Sequence, residues 1–101
     1  MKTYPINNDQ GQLHAFEINI PFRGRLGVSK IVGKIPNTKV LKKPKFLSGF
    51  RDEDIFCEFE VNEKKFTIEE PFGDNSRYLI CSNPPGHCKE LELIEREFIN
   101  A

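Results

Sequence analysis

Apolar and polar residues alternate most cleanly in the stretch 54–61. There Ile55, Cys57, Phe59 and Val61 fall on one side of an extended chain, with Phe56, Glu58 and Glu60 on the other. A tight turn at 62–64 and a second alternation over 65–70, with Phe66 and Ile68 inward, predict a β-hairpin. After the connection 71–76, residues 77–82 return as a third strand and complete a meander. Residues 13–20 alternate as well: His14, Phe16, Ile18 and Ile20 oppose Leu13, Ala15, Glu17 and Asn19, and Pro21 ends the run. Residues 38–43, between Pro36 and Pro44, read as a short strand, and 44–50 as loop or edge.

Two stretches carry the helical period instead. Val28, Ile31, Val32 and Ile35 fit one face of a helix that Pro36 would stop, although Gly24, Gly27 and Gly33 weaken it by ~1 kcal/mol each. Cys88, Leu91, Ile94 or Glu95, and Phe98 form the second stripe, where Asn83 suits a cap and Pro84 or Pro85 a first turn. The pattern predicts an α+β fold: an antiparallel sheet of about five strands with two helices, about 24–35 and 85–99, packed on one face. With 101 residues, one domain spanning 1–101 is the expectation.

Composition narrows the class. Nine of the eleven aromatics are Phe and Trp is absent, so most rings read as core material with no polar tip to satisfy. The three cysteines, Cys57, Cys81 and Cys88, are an odd number without a disulfide-framework spacing, which points to a reducing compartment. The polar start lacks a signal-peptide core, and no apolar run approaches the ~20 residues that span a bilayer. These features read as a soluble cytoplasmic protein.

The net charge of zero conceals a segregation. Nine Lys/Arg and no acid lie between Arg23 and Arg51, whereas residues 52–101 hold thirteen acids against five bases. Such a division means either two halves that face each other or two surfaces of opposite sign. The basic stretch 23–51, with Phe22, Phe46 and Phe50 interleaved, supports an alternative reading as a small nucleic-acid-binding module. The absence of any zinc-finger, helix-turn-helix or RNP-like signature, and a sequence pI near 6.7, argue against it.

Candidate chemistry is sparse. Cys81, His87 and Cys88 lie within eight residues but lack both a fourth zinc ligand nearby and zinc-site spacing. His87 and Cys88 are adjacent and point apart, as do Glu69 and Glu70 on a strand. No loop has the residues of a phosphate cradle. The residues name no catalytic group, no metal site and no cofactor. A small enzyme using Glu70, Asp74, Arg77 and His87 in a cleft is the weakest reading.

The stretch EEPFGDNSRYLI, residues 69–80, packs acids, an Arg and a Tyr around a turn, which reads either as a network in which Arg77 clamps Glu69 or Asp74 or as a loop that meets a partner. Residues 47–80 as a whole resemble small bacterial immunity proteins of contact-dependent growth inhibition and related polymorphic toxin systems. The resemblance is carried by Phe50-Arg51-Asp52-Glu53, the CEFE strand of Cys57–Glu60, and EPFGDNSRY of Glu70–Tyr78. It implies a non-enzymatic inhibitor that binds a cognate toxin domain and blocks its active site. For a nuclease toxin it also implies an acidic contact surface facing a basic site. On that expectation the contact residues are Asp52, Glu53, Phe56, Glu58, Glu60, Glu70, Phe72, Asp74, Asn75, Arg77 and Tyr78, with Phe56 an exposed aromatic beside outward carboxylates.

Overall fold

The computed structural model describes residues 1–42, 55–70 and 77–101. Its elements run β1 (Thr3–Asn7), β2 (Leu13–Asn19), α1 (Gly24–Gly33), β3 (Thr38–Lys42), β4 (Ile55–Val61), β5 (Lys64–Glu69), β6 (Arg77–Ser82) and α2 (Lys89–Ile99). The strands form one sheet in the order β1-β2-β6-β5-β4-β3, with every neighbouring pair antiparallel. The α+β class and the β4-β5-β6 meander match the sequence pattern. The sheet has six strands rather than about five.

The additional strand is β1. Its sequence, TYPIN, is short and polar at both ends and carries Pro5. Proline cannot donate to a ladder, but at a sheet edge one side of the strand needs no donor. Asn8 then turns the chain, its Oδ1 accepting from the backbone N–H groups of Gln10 and Gln12, both at 2.9 Å. The β4–β5 turn is a two-residue loop in which Asn62 and Glu63 have φ of +52° and +69°. Positive φ at both positions gives the twist that a tight hairpin needs.

Both helices pack on the same side of the sheet, α1 against β3 and β4, and α2 against β1 and β2. Phe16, Ile18, Phe59, Phe66, Ile68 and Ile80 point toward them and are fully buried, together with Val28, Val32, Leu91, Ile94 and Phe98 from the helices. Phe16 meets Phe98 edge-on at 5.6 Å, joining α2 to β2. Phe59 stacks on Phe66 at 5.6 Å within the sheet. Cys57 is buried in the same core, where desolvation pushes its thiol up to about 11.

Both helices are shorter than the periodicity suggested. After Gly33 the chain tightens, with Lys34 and Ile35 donating to the carbonyls three residues back, and Asn37 turns at φ +60°. Ile35 stays buried without being helical. At the other helix, Gly86 has φ +152° and its carbonyl accepts from Ser82 Oγ at 2.8 Å, so residues 83–87 form a turn and Cys88 becomes the cap position. Glu90 and Glu92 then occupy the first turn, where acids complement the helix dipole. The Glu90 carboxyl is held below its usual range, chiefly by a hydrogen bond from its own backbone N–H and further by Asn62 and Lys64. At the C-terminal end, the Met1 amino group donates to the carbonyls of Phe98, Ile99 and Ala101 at 3.1, 2.8 and 3.1 Å.

Candidate partner-binding surface

With both helices on one side, the other face of the sheet carries no helix among the described residues. Strand alternation and register place its side chains in rows. Across the centre run Ile6, Ala15, Cys81, Thr67 and Glu58. A second row holds Tyr4, Glu17, Leu79, Glu69 and Ile55, and a third Lys39, Glu60 and Lys65. The central residues are short: Ala15 and Thr67 are buried beneath their longer neighbours, and Thr67 Oγ1 lies 3.4 Å from Cys81 Sγ. The result is a shallow apolar strip between charged rows.

The charges on this face are mixed. Glu60 stands opposite Lys39 on one side and Lys65 on the other, and Glu58 opposite Lys42. Among the described residues, the outward carboxylates Glu58 and Glu60 therefore stand beside lysines rather than forming a patch of one sign. Register is the reason: β3 comes from the basic stretch and β4 from the acidic one, and the two are neighbours. Opposite charges directly across strands stabilise such a pair by about 0.2–1 kcal/mol.

Arg77 was placed by sequence to clamp Glu69 or Asp74. Among the described residues it reaches across to β2, where Nη1 lies 3.3 Å from Glu17 Oε1, and its guanidinium sits 3.6 Å from the Tyr4 ring centroid; Asp74 lies outside the described residues. Asn19 Nδ2 donates to the Tyr4 hydroxyl at 3.2 Å, and Lys2 approaches the same ring at 5.1 Å. This cluster on the open face depends on β1, the strand that the sequence pattern did not reveal.

At one end of the sheet a second network ties α1 down. Arg25 donates to Glu70 Oε1 from Nε at 3.3 Å and from Nη2 at 2.8 Å, and its guanidinium covers the Phe56 ring at 4.7 Å. Phe56 in turn meets Tyr78 edge-on at 4.8 Å. Burial and the nearby Glu70 charge raise the Tyr78 hydroxyl, with Arg25 opposing. Gly24 enters the helix at φ +57° with the Tyr78 hydroxyl 3.6 Å from where a Cβ would stand. Only glycine takes that conformation at low cost.

Three expected contact residues are corrected here. Phe56 is buried rather than exposed, because the register of β4 slips between Ile55 and Cys57, and the additional residue turns its ring inward. Tyr78 is buried beside it, and Glu70 is engaged by Arg25. Glu58 and Glu60 lie on the open face as expected, half-buried. Asp52, Glu53, Phe72, Asp74 and Asn75 lie outside the described residues, as do Phe46 and Phe50.

The cysteine-histidine segment forms one wall of an open cleft of about 480 Å³ whose other wall is Glu63, Lys64 and Lys65. The ring of His87 is committed on both sides: Nδ1 is 2.9 Å from the Leu13 carbonyl and Nε2 is 3.4 Å from Glu92 Oε2. Cys81 belongs to the open sheet face. Among the described residues, no three His, Cys, Asp or Glu side chains converge as metal ligands. Arg77 is the first residue of β6 and His87 lies beyond its other end, so the described members of the weakest, enzymatic reading, Glu70, Arg77 and His87, do not share a cleft.

Sequence reasoning named Phe22 only as an aromatic beside the basic stretch and did not place it with Leu26 as one apolar surface feature. Phe22 is fully exposed and Leu26 half exposed at the entry to α1. A signal for it existed. Phe22 is the residue before the cap position Arg23, where an apolar side chain packs against the fourth helical residue, and here that residue is Gly27.

Comparison with known proteins finds no family model that matches this chain, and no similar curated protein or solved structure.

Proposed function

We propose that this protein is a non-enzymatic inhibitor of the immunity type, which binds a cognate bacterial toxin domain through the open face of its sheet. The observation that carries the reading is that face: six antiparallel strands, rigidly backed by a Phe-rich core, present a strip of short side chains between charged rows. At about 4.8 Å per strand and 3.3 Å per residue, it covers on the order of 500 Å² in projection. A standard interface takes about 800 Å² from each partner. The open face supplies the larger part of that area. The motif resemblance over 47–80 supports the same reading, since its described part builds β4, β5 and β6.

The balanced charge alters the expected partner. Among the described residues the face carries charges of both signs, which weakens the electrostatic argument for a strongly basic nuclease site, and the interlocking rows favour a partner surface of mixed sign. Charge here sets orientation and association rate more than affinity. The basic stretch offers less to nucleic acid than its composition suggested: Arg25 is bound to Glu70 and Phe56, and Lys39 and Lys42 face acids across the strands.

The test is co-expression with a candidate toxin domain, sought among the genes that adjoin this one. A 1:1 complex that survives moderate salt and blocks the toxin is the expected result. Replacing Glu58 and Glu60 together by Gln should weaken that complex about tenfold while leaving the melting temperature of the free protein within a few degrees. Failure to form any complex, or salt-sensitive binding to generic oligonucleotides instead, overturns the proposal.

A further inference from the structure

We propose that the corner where β2 runs into α1 is a docking site for an acidic protein surface, with Phe22 as its anchor. The inference relies on the immunity reading for the identity of the partner, and on independent observations for the site and its chemistry.

The first observation is the ring itself. Six phenylalanines lie among the described residues; five are buried and Phe22 is fully exposed. Leaving such a ring in water forgoes a transfer free energy of about 2 kcal/mol or more. The local geometry explains why the fold does not recover it. Phe22 precedes the cap of α1, and its natural packing partner on the helix is Gly27, which offers no side chain. The ring therefore stands clear of the helix, with Leu26 half exposed in the first turn and Ile20 exposed just before it. Three apolar side chains within seven residues make an anchor rather than a scattered surface residue.

Charge identifies the occupant. The solvent side of α1 carries Arg23, Lys30 and Lys34, all exposed and none paired among the described residues. No acidic residue occurs anywhere between Glu17 and Asp52. Arg25, the one cation of α1 with an acidic partner, is turned inward to Glu70. An apolar anchor beside a helix whose exposed charges are all cations, unpaired among the described residues, is complementary to an apolar pocket rimmed by carboxylates. Nucleic acid fits less well. Three cations neutralise three phosphates at most, and non-specific affinity scales with that number. Leu26 and Ile20 have no π-face on which a base could stack.

Position links the corner to the open face. Asn19, the last residue of β2, is paired in register with Arg77 on that face, and Ile20 to Phe22 follow directly. A partner lying on the sheet reaches the corner by extending over its end, which adds the area that the face alone does not supply.

Phe22 buries nothing in the free protein, so its replacement separates binding from folding. In the co-expression assay above, with affinity measured by calorimetry against the candidate toxin domain used there, Phe22→Ser should weaken binding about 30-fold or more and leave the melting temperature unchanged. Arg23→Glu with Lys30→Glu should lower the association rate about tenfold and flatten its salt dependence. If the wild-type protein binds the toxin domain and Phe22→Ser binds equally well, the docking site is overturned and the immunity reading stands. If the wild-type protein forms no complex, both are overturned. A loss of self-association, or of binding to a 20-mer oligonucleotide, as the main effect of these variants would replace the acidic protein partner with a second copy or a nucleic acid.

Discussion

Arg25→Met removes the side chain that fastens the start of α1 to the sheet. Arg25 makes two hydrogen bonds to one Glu70 oxygen and covers the face of Phe56 at 4.7 Å, and the side chains of both ion-pair partners are more than two-thirds buried. An exposed ion pair contributes at most about 1 kcal/mol, whereas hydrogen bonds to charged groups contribute about 1.5–3. A partly desolvated cation–π contact adds about 1. Methionine retains the apolar stem over Phe56, so part of the packing survives. The expected loss is about 2 kcal/mol, which for a domain of this size lowers the melting temperature by roughly 8–16 °C. Urea denaturation of Arg25→Met, Glu70→Gln and the double variant measures the coupling, expected near 1 kcal/mol, and it should shrink in 1 M salt, where screening is short-ranged. A loss under 0.5 kcal/mol for Arg25→Met, or no coupling to Glu70, would refute the clamp.

Cys57 makes stability fall at alkaline pH. Its folded pKa of about 11 exceeds its ordinary value of 9.0, so the native state keeps a proton that the unfolded chain loses. This contribution is intact below pH 9 and is lost as pH rises toward 11, amounting to about 2–3 kcal/mol. Denaturant midpoints between pH 8 and 11 should fall in the wild type and fall less in Cys57→Ala, and native Cys57 should resist alkylation at pH 8. Two glycines of α1 should respond in opposite directions. Gly33 has helical φ and nothing within 4 Å of a Cβ, so Gly33→Ala should stabilise by about 0.5–1 kcal/mol. Gly24→Ala, at φ +57°, should destabilise by about 1 kcal/mol or more. Thermal melts of the two variants decide both.

The elements legible in the sequence are those whose own periodicity states their environment. β2, β4, β5 and β6 each bury alternate residues against the helices, and α2 buries Leu91, Ile94 and Phe98. β1 was not legible, because an edge strand of five residues with a proline has little to bury and takes its pairing from β2. The helix ends were misjudged for a related reason: Ile35 and Cys88 match the apolar stripe, yet backbone turns at Asn37 and Gly86 set the boundaries. Among the candidate contact residues, Glu58 and Glu60 were placed by simple alternation. Phe56 defeated alternation because one slip in register sends a side chain to the opposite face.

The order of apolar and polar residues along this chain determined the α+β class, the central meander and most of the Phe-rich core, because burial is dictated by local periodicity. Which charges meet was decided only by tertiary structure. Residues distant in sequence become neighbours through strand order, and that order set β3 lysines opposite β4 glutamates, sent Arg25 to Glu70, drew Arg77 to Glu17 and Tyr4, and left Phe22 in water.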